Sequence, residues 1–277
     1  MSDRFSLRGS GAGVRGARLP LEILAQPDDV TCGPTCLHAV YRYFGLGLPI
    51  ERVIDEVEQL ETRGTLAVML ARHALEHGFR ATIHTLNLTV FDPTWFRHGV
   101  DLVDKLRRQA RIKDDPRIRF ATRGYLDVLS RGGEVRFAEL GPELLLEPLR
   151  RGLPVLTGLS ATYLYGCARE IERDGAMVYD DVEGVPEGHF VVLHGHEPRD
   201  GTIWVADPLH ENPGFGTHVY AVPVQRVLAA ILLGALTYDA NLLILEPAAR
   251  GETGGVADPE EKEPAKGEPP GGAQEPG

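Results

Sequence analysis

The chain has 277 residues, a formal net charge of −11 and three cysteines. That length supports one large core, and the odd cysteine count without framework spacing excludes a disulfide-stapled secreted scaffold and points to a reducing, cytoplasmic setting. The acidic balance disfavours nucleic acid as a partner, because phosphate binding draws on clustered Lys and Arg.

Residues 1–18 are rich in Gly and Arg with no apolar h-region, which excludes a secretory signal and predicts a disordered arm. Residues 19–247 then read as one domain, with a disordered acidic Pro/Gly-rich tail expected over 248–277, where residues 251–277 carry seven acids against two lysines. The apolar run Val227–Leu236 is too short to cross a bilayer, so no membrane span is expected.

The domain is organised around Gln-Pro-Asp-Asp-Val-Thr-Cys-Gly-Pro-Thr-Cys, residues 26–36. Cys36, Leu37, Val40, Tyr41 and Phe44 fall at helical spacing and Gly45 is a stop signal, so Cys32 lies at a helix N-terminus. Unpaired N–H groups and the positive dipole end favour a thiolate there, which makes Cys32 a candidate nucleophile. Gln26 offers an amide donor that, with the Cys32 N–H, can hold a developing oxyanion. Asp28 and Asp29 add negative charge between them. Cys36 and Cys167 read as small buried hydrophobes.

Up to residue 150 the pattern is mostly helical. Stripes predict helices over Pro49–Leu60, Thr65–His77, Phe96–Ile112, Arg123–Ser130 and Pro142–Arg151, with one strand at Phe79–Leu86. An extended helical segment, about 92–133, is expected to cover or reshape the cleft. Its basic cluster at Lys105, Arg107, Arg108, Arg111 and Lys113 reads as a solvated face. After residue 150, strands are predicted at Leu153–Leu159, Gly188–Gly195, Thr202–Ala206, Thr217–Val222 and Asn241–Leu245. Helices followed by strands predict an α+β fold, an N-terminal helical layer on a C-terminal antiparallel sheet, with the site in the cleft between them.

Two strands flank Pro198 and Asp200-Gly201 as a hairpin. A turn centred near residue 198 sets His189 almost opposite Asp207 on one face, within reach of an imidazole–carboxylate hydrogen bond. His194 has the wrong parity, and His196, His210 and His38 are poorly placed. His189 is therefore the candidate general base, with Asp207 orienting its ring.

Gln-x5-Cys-Gly, a His opening an apolar strand and a strand ending in Asp-Pro together resemble the papain-like cysteine peptidases that process double-glycine leader peptides of bacteriocins, and their free-standing relatives. The resemblance implies a papain-like fold, Cys32 as nucleophile, His189 as general base and acid, Asp207 as orienting residue, Gln26 as oxyanion-hole donor, and a peptide or protein substrate. It implies no cofactor and no metal. A papain-like acyltransferase or transpeptidase and a catalytically silent peptide-binding module are the alternatives. A metal site from Cys32, Cys36, His194 and His196 is a remote further one, because C-x3-C without a second pair is weak zinc spacing.

Overall fold

The computed structural model describes residues 17–60, 64–237 and 240–248. Most of the N-terminal arm and of the acidic tail lie outside the described residues.

The first half supplies α1 (Cys32–Tyr43), α2 (Ile50–Glu56), α3 (Ala67–Glu76), β2 (Phe79–Thr85), α4 (Leu102–Ile112) and α5 (Pro116–Ser130), after a two-residue strand β1 (Ala17–Arg18). β3 (Glu134–Phe137) and α6 (Pro142–Arg150) lead to β4 (Val155–Ser160) and the short α7 (Ala161–Tyr165). A separate hairpin, β5 (Glu170–Arg173) and β6 (Ala176–Tyr179), precedes β7 (Gly188–Glu197), β8 (Thr202–Ala206), β9 (Val219–Pro223), α8 (Val224–Leu233) and β10 (Asn241–Pro247).

The fold is α+β. Its main sheet runs β3-β2-β10-β4-β7-β8-β9 and is antiparallel throughout except for the β2–β3 pair. β1 joins β7 at Gly195 and His196, beyond the point where β4 has stopped pairing at Leu193. The N-terminal helical layer expected from the sequence covers one face of the sheet, and α6, α7 and α8 cover the other. Phe190 and Val192 of β7, with Leu243 and Leu245 of β10, meet Cys36, Leu37 and Val40 of α1 and Val68 and Met69 of α3. The alternate residues Val191, Leu193, Leu242 and Ile244 meet Leu145 and Leu149 of α6, Leu164 of α7, and Val227 and Ile231 of α8. Strands buried on both faces read as continuous apolar runs, and Phe190–Leu193 and Leu242–Leu245 are such runs.

Several boundaries differ from expectation for identifiable reasons. α5 begins at Pro116 rather than at Arg123, because Asp115 caps it through the N–H groups of Arg117 and Ile118 and proline is tolerated in a first turn. α8 (Val224–Leu233) takes in most of the apolar run at 227–236, which is short for a membrane and right for one layer of a core. The β5–β6 hairpin turns through Asp174 (φ 54°) and Gly175 (φ 79°), the left-handed pair that a two-residue hairpin loop requires.

Candidate functional site

The site forms at the end of the sheet where β7 begins. α1 starts at Cys32, so the backbone N–H of this residue has no acceptor within the helix. Thr31, the residue before it, makes no side-chain cap. The following Gly33 is buried, and a Cβ at this position would lie 2.5 Å from Thr65 Cγ2 and 3.2 Å from Phe190 Cδ2. That close approach seats the first turn of α1 against β7 and presents Cys32, partly exposed, to a cleft of about 520 Å³.

The cleft is lined by Leu60, Gly64, Thr65 and Leu66 and by Val185, Pro186, Glu187 and Gly188. Arg117 of α5 also lines it, so part of the helical segment at 92–133 borders the site. The basic residues of α4 lie on the surface; Arg108 faces Asp104 at 3.7 Å and Lys113 Nζ donates to the Thr89 carbonyl.

His189 is buried, and its Nε2 lies 2.8 Å from Asp207 Oδ1. The other ring nitrogen, Nδ1, is not used by Asp207, and Cys32 lies near enough to act on the charge of this imidazole. The register behind the pair differs from the expected one. The paired strands carry a bulge between Leu193 and Gly195, and Val192 faces Ala206. Asp207 therefore lies diagonal to His189, two residues out of alignment, while Leu159 of β4 is the direct cross-strand partner of His189. Parity is preserved, so both side chains share a face, and a diagonal pair is still within reach of long side chains.

Asp207 is fully buried and accepts four hydrogen bonds. Besides His189, these come from the Leu209 N–H to Oδ1 (2.9 Å), the Tyr165 hydroxyl to Oδ2 (2.8 Å) and the Tyr220 hydroxyl to Oδ2 (2.6 Å). Burial opposes the carboxylate, but His189 and these donors outweigh it and hold the Asp207 pKa below its ordinary value. Burial likewise opposes a charged His189, yet the Asp207 charge, its hydrogen bond and Cys32 push the imidazole up to about 10. A charged pair is thereby favoured in a dry setting. The phenols of Tyr165 and Tyr220 are pushed upward, by burial first and by the Asp207 charge next, so both remain donors.

The two tyrosines carry no motif. Tyr220 stands two places from Val222 on an alternating strand, and only the position of Asp207 reveals its role. Gly214 fixes Tyr165 in turn, because a Cβ there would come within 2.7 Å of the Tyr165 Cα.

Gln26 is tied to the same end of the sheet by its backbone N–H, which donates to the Pro208 carbonyl at 3.0 Å. Its side-chain Nε2 donates to the Asp28 carbonyl at 2.8 Å, which leaves one amide hydrogen uncommitted by that bond. Asp28 turns back to accept from the Val30 N–H, whereas Asp29 lines the cleft. Glu170 is raised by burial and then by Asp29, and Glu187 by burial and then by Glu170, so three acids gather at this mouth.

Cys36 is fully buried, its thiol donating to the Phe190 carbonyl, and burial pushes its pKa up. His194 Nδ1 is engaged by the Leu19 carbonyl at 3.1 Å. Cys32, Cys36, His194 and His196 form no metal-ligating cluster among the described residues.

No family model matches the sequence, and no curated protein matches it. Among solved structures, the chain is similar to a proposed C39-like peptidase from Bacillus anthracis, with 13% identity over 84% of this chain and 98% of that one and a TM-score of 0.46. It is also similar to a double glycine motif protease from an AMS/PCAT transporter in complex with its leader peptide, with 13% identity, 85% and 100% coverage and a TM-score of 0.39. A third similarity is to xylellain, a cysteine protease from Xylella fastidiosa, with 12% identity, 84% and 86% coverage and a TM-score of 0.41. No helix among the described residues is long and apolar enough to cross a membrane.

Proposed function

We propose that this chain is a papain-like cysteine peptidase or amidohydrolase acting on a peptide or protein substrate. The observation that carries this reading is the buried His189, with Nε2 on Asp207 Oδ1 at 2.8 Å, close to Cys32 at a helix N-terminus. A structural histidine has no need of a fully buried carboxylate with four donors on one side and a partly exposed thiol on the other.

In the reaction, Cys32 gives its proton to His189 Nδ1 and the thiolate attacks the substrate carbonyl carbon. The oxyanion accepts hydrogen bonds from the Cys32 N–H and the free amide hydrogen of Gln26. His189 Nδ1–H then protonates the leaving amine, and the acyl group remains on sulfur as a thioester. His189 next takes a proton from water, hydroxide attacks the thioester, and the thiolate departs. Asp207 keeps Nε2 protonated and stabilises the imidazolium throughout. Asp29, Glu170 and Glu187 favour substrates with positive charge near the scissile bond.

The test is iodoacetamide alkylation against pH with mass-spectrometric localisation, in the wild type and in His189→Ala. Selective, early reaction of Cys32 that disappears in His189→Ala supports the pair. Equal reaction of Cys32, Cys36 and Cys167 would sink the reading.

A further inference from the structure

Away from the cleft, the ends of α2 and α3 bring together Glu56, His73 and His77. The two imidazoles stand one helical turn apart and stack, with centroids 4.2 Å apart and planes within 16°. Their Nε2 atoms face the same oxygen, Glu56 Oε2, at 3.1 Å for His73 and 3.5 Å for His77, and all three atoms lie within 4.8 Å of one another.

The outer bonds of the cluster constrain what sits at its centre. His77 Nδ1 is 2.9 Å from the His73 carbonyl, which can only accept, so Nδ1 carries a proton and Nε2 is the nitrogen that faces Glu56. His73 Nδ1 is held by the Tyr41 hydroxyl at 2.8 Å, and the second oxygen of Glu56 is held by Arg52 Nε at 2.7 Å. Metal-ligating imidazoles and carboxylates are oriented by such outer partners. Ligands at about 2.0–2.2 Å from a tetrahedral zinc ion stand roughly 3.3–3.5 Å from one another, close to the two separations seen. His73 is buried, whereas His77 and Glu56 are partly open, which provides an entry path and room for a water.

We propose that Glu56, His73 and His77 bind a divalent transition-metal ion, zinc above all, through Oε2 and the two Nε2 atoms, with the fourth position open to water. Two imidazoles and a carboxylate are a zinc donor set. The ion would join the end of α2 to the end of α3. The segment between those helices supplies Leu60, Gly64, Thr65 and Leu66 to the cleft wall, so the metal stiffens that wall from behind.

Zinc titration of the full chain against a chromophoric chelator tests this, in a Cys32→Ser background that removes the cleft thiol. One equivalent should bind, and affinity should fall more than about tenfold in His77→Ala and in Glu56→Gln, both at partly exposed positions and both checked for folding by circular dichroism. Cobalt should give the visible spectrum of a nitrogen- and oxygen-ligated tetrahedral site without a thiolate charge-transfer band. Absence of zinc binding by the folded Cys32→Ser chain would overturn the proposal, as would binding that survives both ligand substitutions.

Discussion

Asp207→Asn keeps the size of the side chain and removes its charge. In the variant, burial acts on His189 without the carboxylate that outweighs it, and the imidazole falls from about 10 towards the neutral form. In the proposed reaction, the imidazole then takes the Cys32 proton less readily at neutral pH. The fall in alkylation rate has a floor, because an ordinary thiol titrating near ~8.5 is still roughly 3% ionised at pH 7. A Cys32 that is fully thiolate in the wild type would therefore lose up to about 30-fold in alkylation rate at pH 7. The assay is iodoacetamide labelling across pH 5–10, with Cys32 followed by mass spectrometry. The midpoint of the Cys32 profile should rise while Cys167 is unchanged. A wild-type profile in Asp207→Asn would refute the coupling of carboxylate, imidazole and thiol.

Other expectations follow from the same geometry. Tyr220→Phe removes a 2.6 Å hydrogen bond to a buried carboxylate and should cost about 1.5–3 kcal/mol in urea unfolding; the acid-unfolding midpoint should move to higher pH as the Asp207 pKa rises. Gly33→Ala places a methyl 2.5 Å from Thr65 Cγ2 and should cost about 1–3 kcal/mol by overpacking, with slower Cys32 alkylation as the cleft wall shifts. The Asp207–His189 pair also sets a pH window for stability. The folded Asp207 pKa lies below 3.8, so its contribution is present above that value and lost as pH falls through the folded pKa. The His189 contribution is complete below 6.5 and lost as pH rises towards about 10. The stability difference between wild type and Asp207→Asn, measured by urea titration, should be greatest between these limits. Glu187→Gln should weaken any preference for Lys- or Arg-containing peptides, and added salt should reduce that preference in the wild type.

Much of this site is visible in short-range sequence. The helix that starts at Cys32 follows from its apolar spacing, and the His189–Asp207 hairpin follows from its turn residues. The pairs beside the turn, Gly195–Trp204 to Glu197–Thr202, lie three residues from the register of a turn centred at 198; the bulge takes one back, which returns His189 and Asp207 to one face two residues out of line, and nothing in His194 or Gly195 announces it. The Asp207 donors were invisible for another reason. Tyr165 belongs to a five-residue helix and Tyr220 to a distant strand, and only the folded sheet brings their hydroxyls to one oxygen. Asp115-Pro116 and Asp174-Gly175, by contrast, are local signals of a helix start and a hairpin tip whose chemistry is legible without any tertiary context. Glu56, His73 and His77 combine both cases, an i, i+4 histidine pair that sequence displays and a carboxylate that only packing supplies.

The thiol and the imidazole are supported by different halves of the interior. Cys32 packs against the core beneath α1 and α3, whereas the face of β7 that carries His189 belongs to the core beneath α6, α7 and α8. During synthesis the cysteine leaves the ribosome first, and its base and carboxylate follow only when β7 and β8 have been made. Under the proposed function, Cys32 of a nascent chain has no base until β7 and β8 have docked on the sheet.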